Sequence, residues 1–324
     1  MTGQNWNLGT VAVIAALGLS TSTASAQEVT LKGASCFPIG SVVSVGFEQF
    51  AKRVNKEAKG IIQIKVLGGA PAIGSPFTMT RRMARGITDF IGCPDAYWGN
   101  VLPEAPATRL SDFTPAQNRK NGAWDYYSKL MAEKNIKFVG LLQDNGPFYL
   151  WLNKKITKPD LSGMHLRVAP VYTPFFKALG ATVQRSDNAQ VYTYMENATV
   201  VGFRWPMLGW TNDWAKVTKY WIDDGLYRAG IIGLMNLDKW KALTAKQRDV
   251  FMKLSLVQEK AAASIYGDLT SRTAWLKKKG LQPITFHGAE REKWLKTADD
   301  AAWQEVLDNS PTHGPKLRKL FTRQ

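Results

Sequence analysis

"IIQIKVLGGAPAIGSPFTMTRRMARGITDFIGC", residues 61–93, sets two short apolar runs on either side of a segment built to be a helix. The flanking runs "IIQIKVL" and "ITDFIGC" have the β-branched and aromatic content of strands. Between them Ser75 can cap a helix, Pro76 suits its first position, and Gly86 ends it. Upstream, "VTLKGA" (29–34) reads as another strand. "SVGFEQFAKRVNKEAKG" (44–60) then places Val45, Phe47, Phe50, Ala51 and Val54 on roughly one helical face before Gly60 stops it. The resulting β-α-β-α-β rhythm predicts a parallel sheet covered by helices on both sides.

The rhythm restarts downstream. A helix around 117–134 leads into "IKFVGLLQD". Four short strands then follow, "FYLWLN", "MHLRVAP", "ATVQRS" and "TVVGFRW", separated by helices such as "TPFFKALG". A second α/β domain therefore begins near residue 146. From Thr244, which forms a capping box with Gln247, a helical pattern runs to Lys279 before Gly280. At 1.5 Å per residue such a helix would span roughly 54 Å, longer than one small domain. An amphipathic helix near 289–307 and the basic tail "PKLRKLFTRQ" finish the chain.

Near the N-terminus, "VAVIAALG" (11–18) is too short to span a bilayer, and Ala24, Ser25 and Ala26 follow in small-x-small order. This reads as a signal peptide cut after Ala26, with an N-terminal membrane anchor as the alternative. Residues 1–26 hold no charged side chain, so the mature chain keeps the net charge of +16. Such a balance favours anionic company. Lys and Arg are scattered rather than blocked, and no reader helix or stacking motif accompanies them, so no nucleic-acid partner is expected. Cys36 and Cys93 are the two cysteines. Both follow predicted strands, and in an exported protein they either form a disulfide or remain two buried thiols.

The signatures of catalysis fail. There is no Gly-rich fingerprint after a strand, no phosphate loop and no serine elbow. His165, His287 and His313 are isolated, so no metal site is expected, and no cofactor. Asp223, Asp224 and Glu196 are the residual acid–base candidates, and surface solvation explains carboxylates of this kind. What the second domain does hold is aromatic and cationic: Phe148, Tyr149 and Trp151, then Arg167, then Tyr172 and Phe175, then Phe203, Arg204, Trp205 and Trp210. Arg167 sits inside a short buried strand, where a permanent cation must be solvated, paired with a carboxylate such as Asp144, or kept for an anion from outside. A guanidinium fork matches a carboxylate, and aromatic walls that exclude water strengthen that pairing.

The run "KPDLSGMHLRVAPVYTPFFKALGATVQRSDNAQVYTYMENATVVGFRWP" (158–206) resembles the solute-binding subunits of tripartite ATP-independent periplasmic (TRAP) transporters, the dicarboxylate-binding family. The elements that carry the likeness are "DLSG", "LRV", "ALGA", "VYTYM" and "TVVG". "FAKRVNKEAKGIIQIKVL", "RRMARGITDFIGCPDAYWGNVLPE" and "LMNLDKWKALTAKQRDVF" extend it over most of residues 29–275. The resemblance implies an α/β, two-lobed periplasmic binding protein with a sheet-and-helix domain on each side of a cleft. Residues 27–145 with 232–271 would form one domain and 146–231 with 272–324 the other, bridged by the long helix at about 244–279.

It also implies a monomer that is no enzyme, captures an organic carboxylate and delivers it to TRAP membrane permease subunits. The family's carboxylate-binding arginine falls on Arg167. Departures from the family pattern bear on the ligand. Phe148 lies near the place of another family arginine, Val201 replaces an aspartate, Arg204 an acidic residue and Trp205 an asparagine. Arg167, Arg204, Phe148, Tyr172, Phe203 and Trp205 are thus the expected ligand-binding set, with Arg204 either a second cation in the cleft or the partner of an acid in the first lobe. An apolar wall suits an aromatic or hydrophobic carboxylate or a 2-oxo acid better than a sugar acid. The alternative from another class is a periplasmic lyase or isomerase of organic acids.

Overall fold

A computed structural model describes residues 1–3, 27–265 and 269–323; the expected signal peptide and its cut after Ala26 lie outside the described residues. The strands are β1 (Val29–Ser35), β2 (Ile62–Gly69), β3 (Phe90–Cys93), β4 (Ile136–Leu152), β5 (His165–Val168), β6 (Thr182–Arg185), β7 (Gly202–Pro206), β8 (Tyr220–Ile222), β9 (Leu226–Asn236) and β10 (Gln282–Ile284). Among the described residues they make one sheet, ordered β2-β1-β3-β9-β4-β7-β5-β6, with β8 joining β4 to β10. Its two outer parts are parallel, β2-β1-β3 on one side and β7-β5-β6 on the other. Helical crossovers between successive strands dictate this. The centre is antiparallel, because β9 runs against both β3 and β4, and β4 against β7.

The sequence predicts two strands where the structure has one. β4 continues for 17 residues, nearly all buried, since elements cover both of its faces. Its first half pairs with β9 and its second half with β7 and β8, so a single strand belongs to both halves of the sheet. The register between β4 and β9 slips repeatedly between residues 138 and 148, which twists the crossing from one half to the other.

The helices Val45–Glu57 and Pro76–Ala84 form as expected, the first burying Phe47, Phe50 and Val54. Gly46 lets that helix approach β4: a Cβ there would lie 2.4 Å from the Leu142 carbonyl oxygen. Its N–H donates to Gln143 Oε1 at 2.6 Å, and Gln143 Nε2 in turn donates to the Val42 carbonyl and to Asn145 Oδ1. The loop after β1 is thereby fixed against the middle of β4.

Three expectations are corrected. The helix expected at 117–134 is two, Pro115–Lys120 and Ala123–Ala132, because Gly122 between them is left-handed at φ +81°. The helix that starts at the Thr244–Gln247 capping box ends at Ala262 in a 3-10 turn over residues 263–265, and helix resumes at Leu269–Lys278. The basic tail is not a tail: Gly314–Phe321 is a helix whose Leu317 and Phe321, four apart on one face, are fully buried. No helix of the described residues is long and apolar enough to cross a membrane.

Candidate ligand-binding site

Parallel strands fed by helical crossovers leave a crevice at their carboxyl ends, and side chains just past those ends can line it. Both outer parts of this sheet direct such residues to one cavity. Phe37 and Val43 follow β1, and Pro94, Ala96 and Tyr97 follow β3. From the other side come Arg167, Ala169 and Tyr172 on and after β5, and Arg204, Trp205 and Pro206 at the end of β7. Phe148 and Asn145 of β4, with Ile231 of β9, form the floor. The disulfide between Cys36 and Cys93 ties the ends of β1 and β3, immediately before Phe37 and Pro94, which decides between the two readings of the cysteines. The free space is about 30 Å³, room for a water or two, so an organic acid enters only if the walls separate.

Arg167 is 1% exposed and its charge meets no carboxylate among the described residues. Nε donates to Ser186 Oγ at 3.1 Å and Nη2 to the Ser186 carbonyl at 2.5 Å. Burial draws the pKa of this guanidinium down, opposed by neighbouring Tyr97 and Asp187. The Tyr97 hydroxyl is pushed up to about 12, first by burial. The carboxylate weighed as an internal partner, Asp144, is taken by Arg228.

Arg204 leaves the other face of the sheet. Arg167 registers with Phe203 across β5 and β7, so those two share a face and Arg204 points the opposite way. Its guanidinium carbon lies 4.8 Å from the Tyr172 ring centre, 5.0 Å from Tyr227, and 5.6 to 5.9 Å from Phe175, Phe176 and Phe148. Nη2 donates to the carbonyls of Leu226 (2.8 Å) and Phe148 (3.4 Å), while Nε and Nη1 are buried without a partner. The expectation that Arg204 balances an acid of the first lobe is not met: no ion pair reaches it among the described residues. Burial pushes its pKa down to about 10, which leaves it charged at neutral pH.

Of the six expected site residues, five line this cavity: Arg167, Arg204, Phe148, Tyr172 and Trp205. Phe203 does not. It sits inside β7 rather than at its end, with its ring centre 4.9 Å from Trp214 and 6.4 Å from Trp151 in the core. Trp205, two residues on, reaches the strand end and meets Phe37 edge-on at 6.1 Å. Sequence reasoning missed Phe37, Tyr97 and Asn145. The signal for the first two was present, since each closely follows a strand of the first β-α-β-α-β unit.

A second cavity of about 260 Å³ lies on the opposite faces of β4 and β9, lined by Asp144, Gly230 and Ile232 where the first is lined by Asn145 and Ile231. It is larger, yet both its arginines have a carboxylate: Arg109 reaches Asp95 at 3.5 Å, and Arg228 holds Asp144. The acid–base candidates have partners too. Asp224 meets Arg291 (2.9 Å), Asp223 meets Thr285 (2.5 Å) and Glu196 meets Tyr192 (2.7 Å). No cluster of potential metal ligands occurs among the described residues.

Comparison with known proteins places this arrangement. Residues 35–309 match the family described as bacterial extracellular solute-binding protein, family 7. Similar solved structures include a TRAP periplasmic solute-binding protein from Desulfovibrio salexigens with bound orotic acid, 18% identical over 90% of this chain and 97% of that one, TM-score 0.80. An extracytoplasmic solute receptor of Bordetella pertussis binding pyroglutamic acid is 14% identical, with 91% and 100% covered and TM-score 0.79. A Roseobacter denitrificans TRAP protein with bound β-D-glucuronate is 16% identical, with 91% and 100% covered and TM-score 0.78. At these identities the likeness establishes the two-lobed α/β fold, and ligands this varied leave the choice of ligand to the cavity's own residues.

Proposed function

Because the chain belongs to family 7 of the bacterial extracellular solute-binding proteins, the binding subunits of TRAP transporters, we propose that it captures an organic acid anion on Arg167 and hands it unaltered to a membrane permease. It would do so in the periplasm, as a monomer released from its signal peptide after Ala26. Residues 27–145 with 232–271, and 146–231 with 272–324, would be the two lobes that close on the ligand.

The observation that carries this reading is Arg167: a buried guanidinium with a serine and a tyrosine around it, no ion pair among the described residues, and walls from both halves of the sheet. A buried cation left without a counter-charge is costly, and a carboxylate arriving in its fork restores the balance in a dry site. The rest of the wall selects the body of the acid. Phe37, Phe148, Tyr172 and Trp205 offer rings and few polar groups, which favours an aromatic or branched apolar carboxylate, 2-oxo acids included, over a sugar acid whose hydroxyls would be left unpaired.

A thermal-shift and calorimetry panel tests this, because a ligand that binds only the folded state raises its apparent stability. Aromatic and branched carboxylates and 2-oxo acids are expected to give larger shifts than hexuronates or C4-dicarboxylates. Largest shifts from hexuronates would overturn the apolar selection, and turnover of a bound acid would overturn the binding role in favour of catalysis.

A further inference from the structure

Three arginines are almost wholly buried around Tyr172, and they differ in how their charge is met. Arg109, 3% exposed, has the carboxylate of Asp95 at 3.5 Å to balance its charge, with Nε and Nη2 unpartnered. Arg167 has neutral acceptors from Ser186. Arg204, 1% exposed, has two backbone carbonyls on one nitrogen and nothing on the other two. Its ring cage supplies electrostatic attraction to the guanidinium but no hydrogen-bond acceptor for Nε or Nη1. The Tyr172 hydroxyl beside it is likewise buried and unpartnered. Two cations without an ion pair among the described residues therefore line one small cavity, approached from opposite faces of the sheet, with apolar rings between them.

Resting on the reading of this cavity as a carboxylate site, we propose that Arg204 is a second anion-binding residue and that the preferred ligand is a dianion: two carboxylates held apart by a flat, apolar or aromatic spacer. One carboxylate occupies Arg167. The other accepts from Arg204 Nε and Nη1, which satisfies both donors and removes the second buried charge. The spacer lies against Phe148 and Tyr172, whose rings meet edge-on at 4.9 Å. A monocarboxylate satisfies only one end. A short, flexible dicarboxylate supplies both charges but leaves the rings without contact.

The test uses benzoate, the three benzenedicarboxylates and monomethyl terephthalate, titrated calorimetrically into the mature protein, Arg204→Met and Arg167→Met. At least one benzenedicarboxylate is expected to bind wild type about 30-fold or more tighter than benzoate, the effect of losing one partner of a buried charged pair. The half-ester keeps the shape and drops the second charge, so it is expected to fall back to the level of benzoate. Arg204→Met, which fills the ring cage without the charge, is expected to lose the preference for dianions over benzoate; Arg167→Met is expected to lose both ligands.

A wild-type protein that binds half-ester and diacid equally would overturn the role of Arg204, whatever the variants do, while leaving the Arg167 reading intact. A preference for the diacid that survives in folded Arg204→Met would do the same. If wild type binds no carboxylate at all, both readings fall together.

Discussion

The two faces of strands β4 and β9 each carry a cavity lined by arginines, and the two cavities treat charge in opposite ways. Behind the strands, Arg109 and Arg228 each have a carboxylate, Asp95 and Asp144, although Arg109 Nε and Nη2 have no hydrogen-bond partner. In the front cavity, Arg167 and Arg204, which enter it from opposite faces of the sheet, hydrogen-bond only to hydroxyl and carbonyl acceptors. The rear cavity is the more spacious, about 260 Å³ against 30 Å³, yet each of its arginines already has a carboxylate. Space alone does not make a site. A cation whose counter-charge is missing marks the place where one is to arrive, and a cation already paired marks a place where the fold is being held.

The sharpest way to break this contrast is to remove one arginine from each cavity. Arg109→Met leaves Asp95 buried without its counter-charge, and is expected to cost about 3 to 5 kcal/mol in urea unfolding. Arg167→Met is expected to stay within about 1.5 kcal/mol of wild type, since only neutral acceptors are left behind, and to lose about 2 to 5 kcal/mol of carboxylate affinity. The Arg109→Met deficit carries a pH signature. Burial raises Asp95 above its ordinary 3.8, partly offset by Arg109, so the variant raises it further. A raised carboxyl contributes stability that is full below 3.8 and is lost as pH rises through the elevated value. The deficit is therefore expected to be smaller at pH 4 than at pH 8. Equal stability losses for the two variants would dissolve the distinction between the cavities.

Much of the front cavity was legible in the chain. Local periodicity and capping signals identified the crossover units, and the position of Arg167 inside a buried strand already raised the question of what meets its charge. What stayed hidden depends on contacts between segments far apart in sequence. That β4 runs unbroken from 136 to 152 could not be read from a stretch containing Gly140, Gly146 and Pro147, which look like punctuation until β9 and β7 supply partners on either side. Phe203 and Trp205 have the same alternation and the same chemistry, and only where the strand ends separates a core ring from a wall. The pairing of Arg109 with Asp95, 14 residues away across two 3-10 turns, leaves no periodic trace at all.

A smaller effect sharpens the apolar half of the front cavity. Phe148 meets Tyr172 edge-on and lies 5.9 Å from the Arg204 guanidinium. Phe148→Leu keeps most of the volume and removes the ring, so aromatic carboxylates are expected to lose about 0.5 to 1.5 kcal/mol of affinity by calorimetry while branched aliphatic ones change little. Equal losses for both would make Phe148 a packing residue with no part in choosing the ligand.

The smallest effect separates Arg167 and Arg204 by pH. Arg204 is pushed down to about 10, chiefly by burial, while the rings facing it titrate later: Tyr227 is pushed up to about 12 and Tyr172 well beyond its usual value. Arg109, the other charge near it, stays protonated with Asp95 beside it. An anion bound to Arg204 stabilises its charged form, so affinity for a dianion is complete below about pH 10 and declines above it. The expected loss is below about 1.5-fold between pH 7 and 9.5 and about fourfold by pH 10.5, from the fraction of Arg204 that has lost its proton. Benzoate, held by Arg167 alone, is expected to show little of this loss, and Arg204→Met to erase the difference between the two ligands. A dianion whose affinity followed that of benzoate at every pH would place its second carboxylate somewhere other than on Arg204.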